Sequence, residues 1–217
     1  MPWAPSYATP DELASFVRID DVADEIVITA AIDAASRMID HACDPSPGHT
    51  RQFGKTDAPE DRYYTATPRG YGPSVRGQWV ARLDDLASVV GLVVAVAVSV
   101  GAESYTPVTG TAALPRNATA LGRPFTEILF AGSSYPSPPL LADAVRVTGV
   151  WGWPAVPDTI HEACLLQSSR LLARRDAPFG VAGSAEVGSE VRLLAKVDPD
   201  VEAMLRPYVR ALGPVLA

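Results

Sequence analysis

Histidine, cysteine and lysine are scarce in this chain. Its 217 residues include three histidines and two cysteines. Lys55 and Lys196 are its only lysines; the other basic residues are arginines, a bias that fits a GC-rich genome. So few histidines leave a thin supply of general bases, and Cys43 and Cys164 alone make no disulfide framework. The phosphate-cradling patterns G-x-x-x-x-G-K-[ST] and G-x-G-x-x-G are absent, as are G-x-S-x-G and H-E-x-x-H. Basic charge is also short: 18 basic against 25 acidic residues give a net charge of −7. A protein whose main task is gripping nucleic acid carries the opposite balance. The N-terminus has neither a basic start nor an apolar run, so no signal peptide is expected. The longest uncharged apolar stretch, Leu86 to Ala102, alternates large and small residues as a strand does, and is not read as a membrane span. The expectation is a soluble, cytoplasmically made protein without catalytic residues, cofactor, metal or membrane role.

What is present is ordinary globular material, 47% hydrophobic and 20% charged, of a length that suits one domain with an insertion. Thr9-Pro10-Asp11-Glu12 carries a capping box and a proline at the first helical position, predicting a helix to about Val17. A longer helix is expected from Asp20 or Asp21, with apolar pairs every four residues as far as Met38/Ile39. From Arg62 the pattern turns to strands: Tyr63–Thr67, Trp79–Leu83, the valine segment, Phe125–Phe130 and Ala144–Val150. Within the valine segment the even-numbered residues from Val90 to Val100 are expected to face a core and the odd ones to face outward. Helix returns from Pro157-Asp158 to about Arg175. The Gly-, Ala- and Ser-rich stretch Gly180–Gly188 reads as a flexible linker. Asp198-Pro199 opens a last helix that Pro207 should shorten. The predicted fold class is therefore α+β. A small helical bundle, residues 6–54 plus 155–217, carries an antiparallel β-sandwich or barrel-like insertion over 60–153.

Few residues suggest chemistry. His41, Cys43, His161 and Cys164 could be pooled into a Cys₂His₂ site, but His41 and Cys43, two apart on a helix, point to opposite sides. Asp20-Asp21 suits a helix start and Asp84-Asp85 a turn between strands, so neither pair is read as a cation site. Asn117-Ala118-Thr119 matches a glycosylation acceptor without the secretory signal that would give it meaning. Trp151 and Trp153 are expected to anchor the sheet onto the helical bundle. Arg174-Arg175-Asp176 complements a helix C-terminus, and could equally pair with a neighbouring subunit.

Several segments carry a family resemblance. They are Tyr7-Ala8-Thr9-Pro10-Asp11-Glu12-Leu13-Ala14 before an alanine-rich helix, Leu114-Pro115-Arg116-Asn117-Ala118 with Gly122-Arg123-Pro124-Phe125-Thr126, and Val147-Thr148-Gly149-Val150-Trp151-Gly152-Trp153-Pro154-Ala155-Val156-Pro157. The last leads into a helix ending Leu171-Leu172-Ala173-Arg174-Arg175-Asp176-Ala177-Pro178-Phe179-Gly180-Val181. Over nearly the whole chain these resemble the head–tail connector, or adaptor, proteins of tailed phages that infect actinobacteria. The resemblance implies a structural virion protein, made in the host cytoplasm and located at the head–tail interface. It implies a homo-oligomeric ring, typically dodecameric, docked under the portal protein. Such a ring extends the channel for double-stranded DNA without sequence-specific binding and offers a platform to the stopper, or head-completion, protein. In that setting Arg174, Arg175 and Asp176 are expected at the contact between subunits. The segment from Gly183 onward is expected to be a portal-docking arm through Val191, Leu193, Leu194, Leu205, Tyr208 and Val209. The alternative that the residues leave open is a small ligand- or carbohydrate-binding β module on a helical base, with the two tryptophans in its site.

Overall fold

The computed structural model describes residues 5–18, 25–44, 51–69, 78–97, 99, 101, 103–175, 181–182, 191–192 and 198–210, with backbone alone at 132–135, 175, 181–182 and 191–192. The fold is α+β: among these residues there are four α-helices and a seven-stranded antiparallel sheet that does not close on itself. The chain divides into two compact units, Met1–Phe53 with Val156–Ala217, and Gly54–Ala155.

The first unit is helical. Helix α1 (Pro10–Val17) starts where the capping box puts it: the Glu12 amide donates to Thr9 Oγ1 and the Thr9 amide to Glu12 Oε2, and Arg18 ends the helix in the left-handed region at φ 58°. Helix α2 (Glu25–Cys43) buries Ile28, Ala31, Ile32, Ala35, Ile39 and Cys43, a stripe at three- and four-residue spacing. The start expected at Asp20 or Asp21 lies outside the described residues. Helix α3 (Asp158–Arg175) packs on α2, with Cys164 against Ser36, and buries Ile160, Ala163, Cys164 and Leu165. After it, a two-residue ladder pairs β8 (Val181–Ala182) with β9 (Val191–Arg192), so part of the stretch expected as a linker is paired backbone. Helix α4 (Pro199–Leu205) is capped by Asp198, whose carboxylate accepts from the Asp200 amide at 2.8 Å. It gives way to a 3₁₀ turn, Arg206–Tyr208, at Pro207. Val201 and Leu205 are buried as α4 packs on α3 and α2.

The second unit is the sheet: β1 (Glu60–Tyr64), β2 (Ala66–Pro68), β3 (Trp79–Val96), β4 (Thr106–Pro107), β5 (Thr109–Leu114), β6 (Phe125–Tyr135) and β7 (Val145–Trp151). The path runs β1-β7-β3-β6-β5, with β2 and β4 added to β3. The early part of β3 pairs with β2 and β6, its later part with β7 and β4, and Leu86 is shared by β6 and β7. Leu83, Leu86, Val94, Val96, Phe125, Ile128, Phe130, Val145, Val147 and Trp151 form one apolar core.

Two expectations are corrected here. Asp84-Asp85 is not a turn between strands: both residues lie inside β3, which runs unbroken from Trp79 into the valine segment. The alternation from Val90 to Val100 also fails in part. Val94 and Val96 are buried, but Val90 is 82% exposed, and the odd-numbered Ala95 and Ala97 are buried; Val98 and Val100 lie outside the described residues. The cause is a bulge. Between the pairs Ser88–Val150 and Val93–Thr148, β3 advances five residues while β7 advances two. The surplus carries Val89 and Val90 out into solvent, with Gly91 at φ +72°, a conformation that side chains resist. Beyond the bulge both faces are covered. Ala95 shares a cross-strand row with Arg146 and Tyr63, and the Arg146 guanidinium lies 4.9 Å from the Tyr105 ring.

Gly149 leaves no room for a side chain in the sheet. A Cβ there would lie 2.7 Å from Leu86 Cδ1 and 3.4 Å from Leu92 Cδ1, and Leu86 is fully buried. We expect Gly149→Ala to cost ~1–3 kcal/mol by overpacking, measured as a lower urea midpoint for the sheet's transition. An unchanged midpoint would mean that the Leu86 side chain yields freely.

Candidate functional site

The tryptophan motif builds a sheet corner. Trp151 ends β7 fully buried, and its indole donates to the Glu60 carbonyl at 2.8 Å. Its amide donates to Thr56 Oγ1 and its carbonyl accepts from the Thr56 amide. The Arg62 guanidinium covers the ring at 4.6 Å. Gly152, at φ 99°, lets the chain turn, and its amide donates to the Asp85 carbonyl at 2.7 Å. Trp153 then donates from Nε1 to Asp85 Oδ2 at 2.9 Å and is itself 4% exposed. Both indoles are spent inside the unit, so no ring is free for a ligand to stack on, which counts against the tryptophan site of the ligand-binding alternative.

The acidic pair is divided by the same corner. Asp84 accepts from the Tyr64 hydroxyl at 3.1 Å and pairs with Arg62 at 3.4 Å, whereas the buried Asp85 serves Trp153. The two carboxylates therefore serve different partners and do not converge. Burial, then the Asp84 charge, pushes the Tyr64 phenol well above its usual range.

The four residues considered for zinc are not brought together. His41 is exposed, Cys43 is buried, and His161 Nε2 faces Glu12 Oε2 at 3.3 Å. Cys164 lies against the Ser36 and Ser168 hydroxyls, and burial raises its thiol pKa, which makes it a poor nucleophile. Among the described residues no group of three or more His, Cys, Asp or Glu could hold a metal, and no helix is long and apolar enough to cross a membrane.

The arginines at the end of α3 fall into two kinds. Arg170, which sequence reasoning passed over, is tied to Asp198, whose amide also donates to Gln167 Oε1 at 3.3 Å. One aspartate thus caps α4 and fastens it to α3. Arg174 is half-buried and has no acidic partner among the described residues. The Arg175 side chain and Asp176 lie outside them. Of the expected docking arm, Leu205 is 2% exposed in its own unit's core, Tyr208 packs edge-to-face on Phe53 at 5.7 Å, and Val209 is 44% exposed. The Val191 side chain, Leu193 and Leu194 lie outside the described residues.

The most strongly perturbed acid sits in the helical unit. The Tyr7 hydroxyl donates to Asp40 Oδ1 and accepts from the Phe53 amide at 2.9 Å. Arg37 pairs with Asp40 Oδ2 at 3.2 Å, lies 5.7 Å from the Tyr7 ring centroid and donates to the Pro5 carbonyl. Phe53 leans edge-on against Tyr7, Arg51 donates to the Tyr208 carbonyl, and the Arg210 amide donates to the Cys43 carbonyl. This cluster ties the residues before α1, the end of α2, the 51–53 stretch and the residues after α4 to one another. Burial pushes Asp40 up to about 7 against the opposing pull of Tyr7 and Arg37, and burial together with Asp40 pushes Tyr7 far above the usual phenol range.

Compared with known proteins, the chain matches no family model and no curated protein.

Asp40 makes stability depend on pH. Its folded pKa lies above the unfolded value near 4, so the folded chain holds this proton more tightly. The contribution is complete below about pH 4 and is lost as pH rises towards about 7. We expect the melting temperature of the wild type to fall across that interval relative to Asp40→Asn, by the equivalent of a few kcal/mol. Parallel melting curves for the two proteins from pH 4 to 7 would contradict it.

Proposed function

We propose that the chain is a head–tail adaptor of a tailed phage, assembling as a ring, dodecameric in this reading, beneath the portal. The ring extends the channel through which double-stranded DNA slides and presents a platform to the stopper protein. The observation that carries the reading is the ordered run V-T-G-V-W-G-W-P-A-V-P followed by a helix ending R-R-D-x-P-x-G. The run occupies the stretch from β7 to the end of α3, where the inserted sheet returns the chain to its helices. In this reading the four helices are the small bundle of the ring and the open sheet is its sandwich-like insertion.

The acidic balance suits a channel wall, which must let phosphates pass rather than hold them. Arg174 lies at the end of α3 and offers a guanidinium to an acidic group of the adjacent subunit, with Arg175 and Asp176 beside it. The portal-docking arm is the segment from Gly183 onward. Leu205 anchors it in the helical unit, and Val209 is a large apolar residue that it leaves exposed.

The test is a native mass measurement of the chain alone and mixed with portal rings of the same virus. We expect particles of a portal ring carrying a ring of this chain. Arg174→Ala/Arg175→Ala should weaken that association about tenfold or more while leaving the melting temperature unchanged. A chain that stays monomeric and does not bind the portal overturns the adaptor reading.

A further inference from the structure

The charge of the chain is unevenly divided. Residues 1–53 hold nine acidic and three basic side chains, whereas the sheet unit, 54–155, holds eight of each. Within the sheet unit one stretch is purely basic. From 104 to 126 there is no acidic residue, and Arg116 and Arg123 are both exposed. Among the described residues neither guanidinium has a hydrogen bond or an ion pair.

The two arginines flank the loop between β5 and β6, and that loop is tied to itself. The Ala118 amide donates to the Pro115 carbonyl at 3.0 Å, the Arg123 amide donates to the Ala118 carbonyl at 2.9 Å, and Gly122 turns at φ 60°. Ala118 is fully buried and pins the loop to the sheet core. Leu121 stands out from this frame, 58% exposed. The loop thus holds an apolar knob between two unpaired cations, and a part already held costs little to order on binding.

Helix α2 carries the counterpart. Away from its buried stripe, Ile26, Thr29, Ala30 and Asp33 have the spacing i, i+3, i+4, i+7, which outlines a hole for a side chain from outside. All four are exposed, Ile26 at 84%. The exposed carboxylates of Glu25 and Asp33 stand at its two ends, roughly 12 Å apart along the helix axis. The Ser6 hydroxyl donates to Asp33 Oδ1, which leaves Oδ2 to a new partner. Arg37, one turn further on, is already held by Asp40 and the Pro5 carbonyl.

We propose that the 115–123 loop of one copy docks on this face of α2 in the next, with Leu121 in the hole and Arg116 and Arg123 against Glu25 and Asp33. Single exposed apolar residues are ordinary. Here each sits between charges of opposite sign, so the two surfaces complement each other in polarity and in charge. A second copy suits the loop better than nucleic acid, because a phosphate backbone gives Leu121 nothing to bury against. The contact uses different surfaces on the two copies and is therefore head-to-tail, the kind that closes into rings when the rotation allows. For closure the proposal rests on the adaptor reading; the contact itself does not.

The experiment uses two full-length charge reversals, Arg116→Glu/Arg123→Glu and Glu25→Arg/Asp33→Arg. In the first, loop and helix face are both acidic; in the second, both are basic. We expect self-association, followed by sedimentation at low salt, to weaken at least about tenfold in either variant alone. It should return when the two are mixed, because each loop then meets a helix face of opposite sign. A second readout leaves the charges in place. A short bis-maleimide should link Leu121→Cys to Ala30→Cys in a mixture and neither variant to itself. The native Cys43 and Cys164 are both buried and free, so the wild type is the blank. A wild type that stays monomeric, a mixture that does not restore association, or absence of the mixed cross-link overturns the contact. So does loss of double-stranded DNA binding by Arg116→Glu/Arg123→Glu with self-association unchanged, which would make the loop a phosphate contact. Rings on the portal without the mixed cross-link would sink the contact and spare the adaptor reading. Restored association in a chain that never binds the portal would do the reverse.

Discussion

An eighteen-residue strand has more backbone to satisfy than any neighbour in this sheet can reach. Strand β3 is that strand, and every peptide group along it that is removed from water needs a partner. The chain solves this by relay. Along one edge β2 serves the first residues and β7 the later ones; along the other β6 serves first and β4 takes over at Ala95. The short segments follow from this. β1 and β2 are one stretch of chain that pairs β7 and then β3, and β4 and β5 are one stretch that pairs β3 and then β6. The bulges of β3 mark the change of neighbours, and Asp84, Asp85, Trp151 and Trp153 stand at the same corner.

The helical unit answers a different constraint. Its stripe of alanines and isoleucines allows α2 and α3 to pack closely, but the unit is assembled from segments far apart in the chain. Its fastenings are therefore polar and specific: Tyr7 with Asp40 and the Phe53 amide, Arg170 with Asp198, Arg210 with Cys43 and Asp44. Each joins residues that apolar packing alone would leave free to slide. Asp40 is held against the cost of its own burial, which is why its proton affinity rises.

Local signals were legible in the sequence. The Thr9 capping box, the Asp198-Pro199 cap and the effect of Pro207 depend on neighbours a few residues away, and the structure has each of them. The strands rich in aromatic and branched residues were legible for the same reason. Strand β5 was not, because its glycine and two alanines disfavour a strand and its place comes from pairing with β6. Asp84-Asp85 read as a turn because two adjacent carboxylates are costly inside a strand unless something distant receives them. Arg62, Tyr64 and Trp153 do so, and none of them is a sequence neighbour. The role of Arg170 was hidden in the same way: its partner lies 28 residues on. The tryptophans were read as anchors of the sheet onto the bundle; their indole bonds lie within the sheet unit, to the Glu60 carbonyl and the Asp85 carboxylate.

The helical unit is built from both ends of the chain around the inserted sheet, and this dictates an order of events during translation. All seven strands of the sheet have been synthesised once Trp151 has been added, so the sheet can close its core while α3 is still inside the ribosome. Helices α1 and α2 emerge before the sheet and have only each other to pack on until α3 arrives, and α4 comes later still. For that interval the part of the stripe from Ile28 to Cys43 that α3 and α4 cover is exposed. Residues made before the sheet are thus buried after it, and the nascent chain's exposure to chaperones and proteases is concentrated in α2.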